Sequence, residues 1–152
     1  FFELDGSRLT NNFICKLFLS NIILLRSAMS KTVKNMLEEA FAKVPMVEPK
    51  DAMEWLNDSD TIFVDVRDTL SIQDTGKVKG AIHAERGMIE FFADQEHELG
   101  KEEMKPEKRV ILYCGAGGQA ALAGKTLIDM GYEKVFNVGS FKGWKDAGGP
   151  TD

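Results

Sequence analysis

Short apolar runs that alternate with helical patterns constrain the fold of this chain more than any other feature. Residues 61–66 (TIFVDV) and 109–113 (RVILY) are rich in β-branched and aliphatic side chains, which is typical of strands buried on both faces. Strands that alternate with helices form a parallel sheet, because each parallel connection has to cross over the sheet. We therefore predict an α/β fold with a central, mostly parallel sheet flanked by helices on both faces.

The remaining elements follow from periodicity and from residues that begin or end helices. Apolar residues recur at three- and four-residue spacing from Val33 to Val44, and Pro45 ends that pattern. Gly131 ends a second helical pattern over residues 120–130. The other predicted elements are an edge strand at 46–47, a helix at 49–56, strands at 80–84 and 134–138, helices at 88–92 and 141–146, and an exposed stretch with one or two helical turns at 94–108.

The first 28 residues differ from the rest of the chain. Apolar positions between residues 13 and 25 fit an amphipathic helix, but polar residues interrupt them, and a membrane helix needs about 20 apolar residues. Met29 and the residues after it read like the start of a protein. We therefore predict an N-terminal extension over residues 1–28, either helical or of upstream origin, and one domain over residues 29–152. We expect no membrane segment and a cytoplasmic location.

Composition excludes several kinds of partner. The 152 residues, 43% of them hydrophobic, fit one globular domain with a core of ordinary size. A net charge of -5 argues against nucleic acid, because phosphate binding needs a basic face. Two cysteines cannot form a disulfide framework, and neither His83 nor His97 lies near a cysteine in sequence. We expect no metal and no other cofactor.

The stretch YCGAGGQA places Cys114 where a predicted strand passes into a predicted helix. The loop after this cysteine consists of Gly115, Ala116, Gly117, Gly118 and Gln119. Ligands of parallel sheets bind at this end of the strands, and a bare loop lets peptide N–H groups turn toward them. Together with the positive end of the helix, these groups favour a thiolate, which is the nucleophilic form of cysteine. The alternative is a buried structural cysteine, and Cys15 fits an apolar helix position.

Four segments in register resemble the motifs of the rhodanese family of sulfurtransferases. The loop after Cys114 resembles the family's active-site loop, in which four residues separate the cysteine from an arginine. FVDVRD (63–68) is similar to the family's Asp-Val-Arg strand, and TGKVKGAIH (75–83) to its Gly-His-Ile-Pro-Gly-Ala-Ile signature. VGSFKGWKDAGGP (138–150) is similar to the closing motif. The resemblance is to a single-domain rhodanese and implies the rhodanese-like fold.

The resemblance also implies transfer of a sulfane sulfur in two displacements. Cys114 would take the outer sulfur of thiosulfate or of a persulfide donor, and an acceptor such as cyanide or a thiol would remove it. The donor and the acceptor would both be small molecules, and a sulfur-relay protein stays open as a further partner. Related dual-specificity phosphatases have a loop one residue longer, and the four residues between Cys114 and Gln119 match the shorter, sulfur-handling form.

Gln119 stands where the family has arginine. An amide forms neutral hydrogen bonds, whereas the forked guanidinium of arginine carries a positive charge. Two interpretations stay open: the replacement weakens the binding of thiosulfate, or it has little effect. Arg67 is a candidate substrate contact, and Asp65 is a candidate support for Arg67 or for the loop. Arg86 is a second candidate cation near the site. The alternatives are a surface ion pair of Arg67 with a neighbouring aspartate and a helical pair of Arg86 with Glu90.

Two other function classes compete with small-molecule sulfur transfer. A sulfur-carrier or regulatory module would pass the Cys114 persulfide to a partner protein with little turnover, and Gln119 favours this class. A phosphatase or arsenate reductase is disfavoured by the short loop and by the missing cation at position 119. His83 is interpreted as a packed or capping residue, because no base is required if the loop already ionises Cys114.

Overall fold

The computed structural model describes residues 30–152. The predicted extension over residues 1–28, with its helix and Cys15, lies outside the described residues. In chain order the elements are α1 (Val33–Lys43), α2 (Pro49–Met53), β1 (Thr61–Asp65), α3 (Thr69–Thr75), β2 (Ile82–His83), a 3-10 turn (Arg86–Met88), α4 (Ile89–Ala93), β3 (Arg109–Cys114), α5 (Gly118–Asp129), β4 (Val135–Ser140) and α6 (Phe141–Asp146). Within residues 30–152, every helix is too short or too polar to span a bilayer.

The four strands form one parallel sheet in the order β2-β1-β3-β4. The carboxyl ends of β1 and β3 lie side by side, since Asp65 pairs with Tyr113. Helices α4 and α5 bury side chains against one face of the sheet, and α2 and α6 bury side chains against the other. The predicted edge strand is a single bridge between Met46 and Asn137 on β4. The prediction of an α/β fold with helices on both faces is confirmed.

The connection after β1 holds a helix that the sequence analysis did not predict. Helix α3 begins after Asp68, whose carboxylate accepts the backbone N–H of Ser71 at 2.8 Å. Hydrogen bonds from the hydroxyl and the backbone of Ser71 lower the pKa of Asp68. None of the seven residues of α3 is buried, so no apolar periodicity marks the helix. Asp68 followed three positions later by Ser71 is the signal that could have identified it.

Most residues of the stretch at 94–108 are exposed or half-buried, as predicted, but the stretch differs from the prediction in two details. The stretch holds turns and no helix, and Met104 is fully buried in the core. Tyr132 packs against it from the far end of α5, with its hydroxyl oxygen 2.6 Å from the carbonyl oxygen of Met104. The sequence does not indicate this contact, because a single buried side chain among charged residues forms no periodic apolar pattern.

Gly124 allows α5 to lie close to the sheet. A Cβ atom at this position would lie 2.9 Å from both methyl groups of Val44 and 3.1 Å from a methyl group of Leu112 on β3. Real Cβ atoms essentially never lie as close as 2.9 Å to another atom, so Val44 or the helix would have to shift. Because α5 begins directly after the cysteine loop, its depth on the sheet also sets the position of that loop.

Tyr132 should make the fold less stable as the pH rises into the alkaline range. Burial raises the pKa of Tyr132 to about 12, above its ordinary value of 10.0, because the buried hydroxyl ionises reluctantly. When folding raises the pKa of a group, the group contributes its full stabilisation to the fold at a pH below its unfolded pKa. That contribution is lost as the pH rises through the folded pKa. We expect Tyr132→Phe to lose about 1 kcal/mol at pH 7 and to show a smaller decline between pH 10 and 12 than the parent. Urea denaturation across that range measures both effects, and equal declines would contradict the assignment.

Candidate active site

Cys114 lies at the last position of β3 and is almost completely buried, with 2% of its surface exposed. Its sulfur accepts the backbone N–H of Gly117 at 3.0 Å. Helix α5 begins at the next residue, Gly118, so a turn of three residues joins strand to helix. The Cys114 side chain therefore lies at the positive end of a 12-residue helix, and its sulfur accepts a hydrogen bond from a peptide N–H.

Fewer peptide N–H groups contact the Cys114 sulfur than the sequence analysis predicted. Within residues 30–152, Gly117 provides the one hydrogen bond that the structure gives to the Cys114 sulfur. Cys114 also belongs to the same apolar cluster as Val66 and Ala120. The sulfur is thus neither sealed in hydrocarbon nor surrounded by donors. One amide and the helix end carry its electrostatic support.

Gly117 has a backbone conformation that fixes the shape of the loop. Its φ of +85° is one that side chains disfavour, and a Cβ there would lie 3.4 Å from the Cα of Gly139 on β4. Its carbonyl oxygen accepts a hydrogen bond of 2.9 Å from the amide of Asn137. The fully buried Asn137 also accepts the N–H of Gly139 at 2.8 Å and so ties the loop to β4.

Sequence analysis missed Asn137 as a site residue. Its signal is an isolated polar residue in the apolar strand VFNVGS. A buried amide in such a strand needs partners, because an unpaired polar group in the core costs about 1–3 kcal/mol. Here the partners are the carbonyl of Gly117 in the loop and the N–H of Gly139 in β4, which makes Asn137 a positioning residue for the Cys114 loop.

The outer half of the loop is open to solvent. Gly115 and Ala116 are exposed, and a Cβ at Gly115 would meet nothing within 4 Å. Gln119 is the second residue of α5 and is also exposed. A ligand that reaches Cys114 would therefore approach along Gly115, Ala116 and Gln119.

Arg67 and Asp65 form a buried ion pair beside the loop strand. Atom Nε of Arg67 lies 2.9 Å from one carboxylate oxygen, and Nη2 lies 2.6 Å from the other. The guanidinium also donates to the hydroxyl of Thr75 at 2.8 Å and to the carbonyl of Gly76 at 2.7 Å, and it stacks 4.2 Å from the ring centre of Phe141. Burial alone would lower the pKa of Arg67, but hydrogen bonds with Asp65 and its charge outweigh burial and raise that pKa.

This geometry favours a supporting role for Arg67. The residue is 6% exposed and its fork is engaged by Asp65, Thr75 and Gly76. It offers little surface to a substrate, so the expected substrate contact finds no support here. The ion pair that the alternative predicted is present, but it is buried and does not lie at the surface, because Asp65 is fully buried.

Arg86 lies away from the cysteine loop, along α5. It pairs with Glu90 at 3.0 Å, as the helical alternative predicted, and donates to the hydroxyl of Thr126 at 3.2 Å. Thr126 follows Gly118 by more than two turns, or about 12 Å along the helix axis. Arg86 therefore fastens the 3-10 turn to α5, and its link to the site runs through the helix.

His83 packs at the end of β2. Its Nε2 atom lies 2.8 Å from the backbone carbonyl of Arg67, to which it donates when it carries the proton. This contact caps the chain after β1 and leaves that nitrogen no role as a base toward Cys114. The interpretation of His83 as a packed or capping residue agrees with this position.

Comparison with known proteins assigns this arrangement to a family. The family model described as Rhodanese-like domain matches residues 48–147. The thiosulfate sulfurtransferase GlpE of Glaesserella parasuis serovar 5 is 28% identical over 111 residues, which are 71% of this chain and 90% of that protein. The solved polysulfide-sulfur transferase homodimer of Wolinella succinogenes is 33% identical with a TM-score of 0.64, over 78% of this chain and 85% of that one.

A third similar protein carries a different description. This protein of unknown function from Rhodopseudomonas palustris, described as a possible tyrosine phosphatase, is 35% identical with a TM-score of 0.75, over 82% of this chain and 96% of that one. It shares the fold and does not change the family match. With a parallel sheet, a strand-end cysteine loop and a family model that spans residues 48–147, the chain belongs to the rhodanese-like family of sulfurtransferases.

Proposed function

We propose that this protein transfers a sulfane sulfur from thiosulfate or a persulfide donor to a thiophilic acceptor, cyanide or a thiol, through a persulfide on Cys114. The observation that carries the proposal is the Cys114 sulfur at the end of β3, with the Gly117 N–H 3.0 Å away and α5 starting directly behind it. This setting stabilises a negative charge on sulfur, first on the thiolate and then on the outer sulfur of the persulfide.

The reaction proceeds in two displacements. The Cys114 thiolate attacks the outer sulfur of the donor, the donor's bond to that sulfur breaks, and sulfite or a thiolate leaves with the electron pair. The acceptor then attacks the outer sulfur of the Cys114 persulfide, and the thiolate is restored. With cyanide the product is thiocyanate, and no external oxidant or reductant is needed.

The other site residues act around this thiolate. Gly115, Ala116, Gly117, Gly118 and Gln119 form the wall of the cradle that a substrate would touch. Asp65 and Arg67 support the end of β1 beside the loop, and Arg86 fixes the 3-10 turn to α5. Steady-state formation of thiocyanate from thiosulfate and cyanide tests the proposal directly, and no turnover with any sulfane donor would contradict it.

A sulfur-carrier module is the second candidate function. The neutral and exposed Gln119 favours it, because the loop lacks the charged fork that would hold a small oxyanion. A carrier should acquire one sulfur per chain quickly and release it slowly to cyanide. Comparison of the first turnover with the steady-state rate separates the two functions, since an enzyme sustains its first-turnover rate when acceptor is plentiful.

A phosphatase is the third candidate, because one similar structure bears that description. Phosphoryl transfer relies on cations that neutralise the developing charge. The loop from Gly115 to Gln119 carries no charged side chain, and Arg67 is held by Asp65. We therefore expect no hydrolysis of an aryl phosphate under conditions in which Cys114 accepts sulfur.

Gln119→Arg should improve the use of thiosulfate. A guanidinium at this exposed position would add a charge-assisted contact worth about 1 kcal/mol, or roughly a five-fold higher kcat/KM. Steady-state thiocyanate formation measures the change. Met130→Arg adds the same charge at an exposed position at the far end of α5 and is the matched control. An unchanged kcat/KM in Gln119→Arg, or an equal gain in the control, would reject a local effect.

A further inference from the structure

A cavity of about 320 Å³ lies at the carboxyl ends of β1 and β2, the end of the sheet at which parallel strands bind ligands. Six side chains from these strand ends and from the chain after β2 line it: Thr69, His83, Glu85, Met88, Phe92 and Lys101. They are called the edge cavity. Strand β1 separates β2 from β3, so the strand of Cys114 is about 10 Å away. The edge cavity is therefore a site separate from the cysteine loop.

The edge cavity carries one charge of each sign. Atom Nζ of Lys101 lies 4.6 Å from the ring centre of Phe92, and within residues 30–152 no carboxylate pairs with it. One carboxylate oxygen of Glu85 accepts the backbone N–H of Thr69 at 3.1 Å and the hydroxyl of Thr69 at 2.7 Å. Among the same residues, the other oxygen of Glu85 has no hydrogen-bond partner. Both charges can therefore bind a ligand.

The rest of the lining is fixed in place or apolar. Atom Nε2 of His83 lies 2.8 Å from the carbonyl oxygen of Arg67, which holds the ring at the end of β2. Met88 and Phe92 are half-buried and offer a thioether and an aromatic ring, against which an apolar group packs well. The volume is close to the lower limit for pockets that hold small molecules, about 300–1,000 Å³. The ligand is therefore small and partly apolar.

We propose that the edge cavity binds a free α-amino acid with an apolar side chain, in its zwitterionic form. The ammonium group of the ligand pairs with the second carboxylate oxygen of Glu85, and its carboxylate pairs with Lys101. Its side chain packs against Met88 and Phe92. A ligand with a single charge pairs with one of the two charged side chains and is repelled by the other, whereas a zwitterion satisfies both.

Four probes separate the three groups of the ligand. L-leucine carries all three, N-acetyl-L-leucine lacks the positive charge, L-leucinamide lacks the negative charge, and glycine lacks the apolar side chain. Each is titrated into ¹⁵N-labelled protein at pH 7, and the backbone amide signals of Thr69, Glu85 and Lys101 are followed by NMR. L-leucine should shift these signals saturably. The two singly charged probes should bind about ten-fold more weakly, since each loses a charged hydrogen bond, and glycine several-fold more weakly.

Two conservative variants test the charged side chains. Lys101→Gln and Glu85→Gln should each weaken the binding of L-leucine about ten-fold. Glutamine at position 85 keeps an acceptor oxygen for Thr69, so the start of α3 is preserved. Lys50→Gln and Glu54→Gln are the matched controls, because both residues are exposed and lie at α2, on the other face of the sheet. Neither control should change the affinity.

The outcomes decide the inference without reference to sulfur transfer, because the edge cavity shares no residue with the Cys114 loop. Cys114→Ser should bind L-leucine like the parent. Absence of a saturable shift with L-leucine, or saturable shifts confined to residues outside the edge cavity, would overturn the site. Equal affinity for L-leucine and either singly charged probe would overturn the assignment of a zwitterion. Unchanged affinity in both Lys101→Gln and Glu85→Gln would overturn the roles given to these side chains.

Discussion

Cys114→Ser is expected to abolish sulfur loading completely. Serine keeps the size and the hydrogen bond from Gly117, but its hydroxyl cannot form a persulfide, so the displacement has no nucleophile of the required kind. The parent protein should gain about 32 Da on treatment with a sulfane donor, and cyanide should remove that mass again. The variant should keep its mass and form no thiocyanate. Intact-protein mass spectrometry measures the first result and a colorimetric thiocyanate assay the second.

Cys15→Ser is the matched control, because it removes the other cysteine of the chain. It should load and turn over like the parent. If the Cys114→Ser protein still gains sulfur, or if the Cys15→Ser protein no longer does, Cys114 is not the residue that accepts sulfur. A circular dichroism spectrum like that of the parent shows that the serine variant is folded.

Arg67→Met should be the most destabilising change at the site. It leaves the fully buried carboxylate of Asp65 without its cation, and it removes donors from Thr75 and Gly76. Breaking a buried pair in this way costs about 3–5 kcal/mol of the free energy of unfolding. Urea denaturation at pH 7 measures the loss. Lys142→Ala, which removes one partner of an exposed pair with Asp146, should have a much smaller effect.

The pair can be tested further by removing both charges. Asp65→Asn alone leaves the buried guanidinium unpaired, whereas the combination of Asp65→Asn with Arg67→Met leaves no buried charge. The double variant should therefore be more stable than the sum of the single losses predicts. Strict additivity would show that the two side chains stabilise the fold independently, in contradiction to their contacts.

Local sequence patterns predicted the elements that build the sheet. Strands β1 and β3 are continuous apolar runs, and α5 combines apolar periodicity with a glycine that ends it. These signals lie within a few residues of one another, so the chain itself carries them. The observed parallel order of the strands confirms the prediction of the fold.

Features that depend on distant contacts were not predictable in this way. Helix α3 buries no side chain, so it has no apolar period. Met104 is buried because Tyr132, 28 positions later, reaches its carbonyl. Asn137 acquires its role only when β4 lies beside the loop, 20 positions earlier in the chain. Met104 and Asn137 thus depend on tertiary packing, which overrides local propensity, whereas the one signal for α3 is the local cap formed by Asp68 and Ser71.

The candidate site was predictable to the same extent. Cys114 and its loop are contiguous in sequence, so their position at a strand end followed from the strand itself. For Arg67, the choice between substrate contact and support depends on Thr75 and Gly76, which the sequence does not place. The catalytic assignment of Cys114 stays a prediction that the serine variant addresses.

The two halves of the cysteine loop differ in how freely they can be redesigned. Gly117 is confined by its φ and by Gly139, while Gly115 has an ordinary φ and open space around it. Directed evolution of this protein could therefore randomise Gly115 and Ala116 without disturbing Gly117 and its contact with β4. New selectivity could arise at these two solvent-facing positions while the inner turn preserves the reactive geometry.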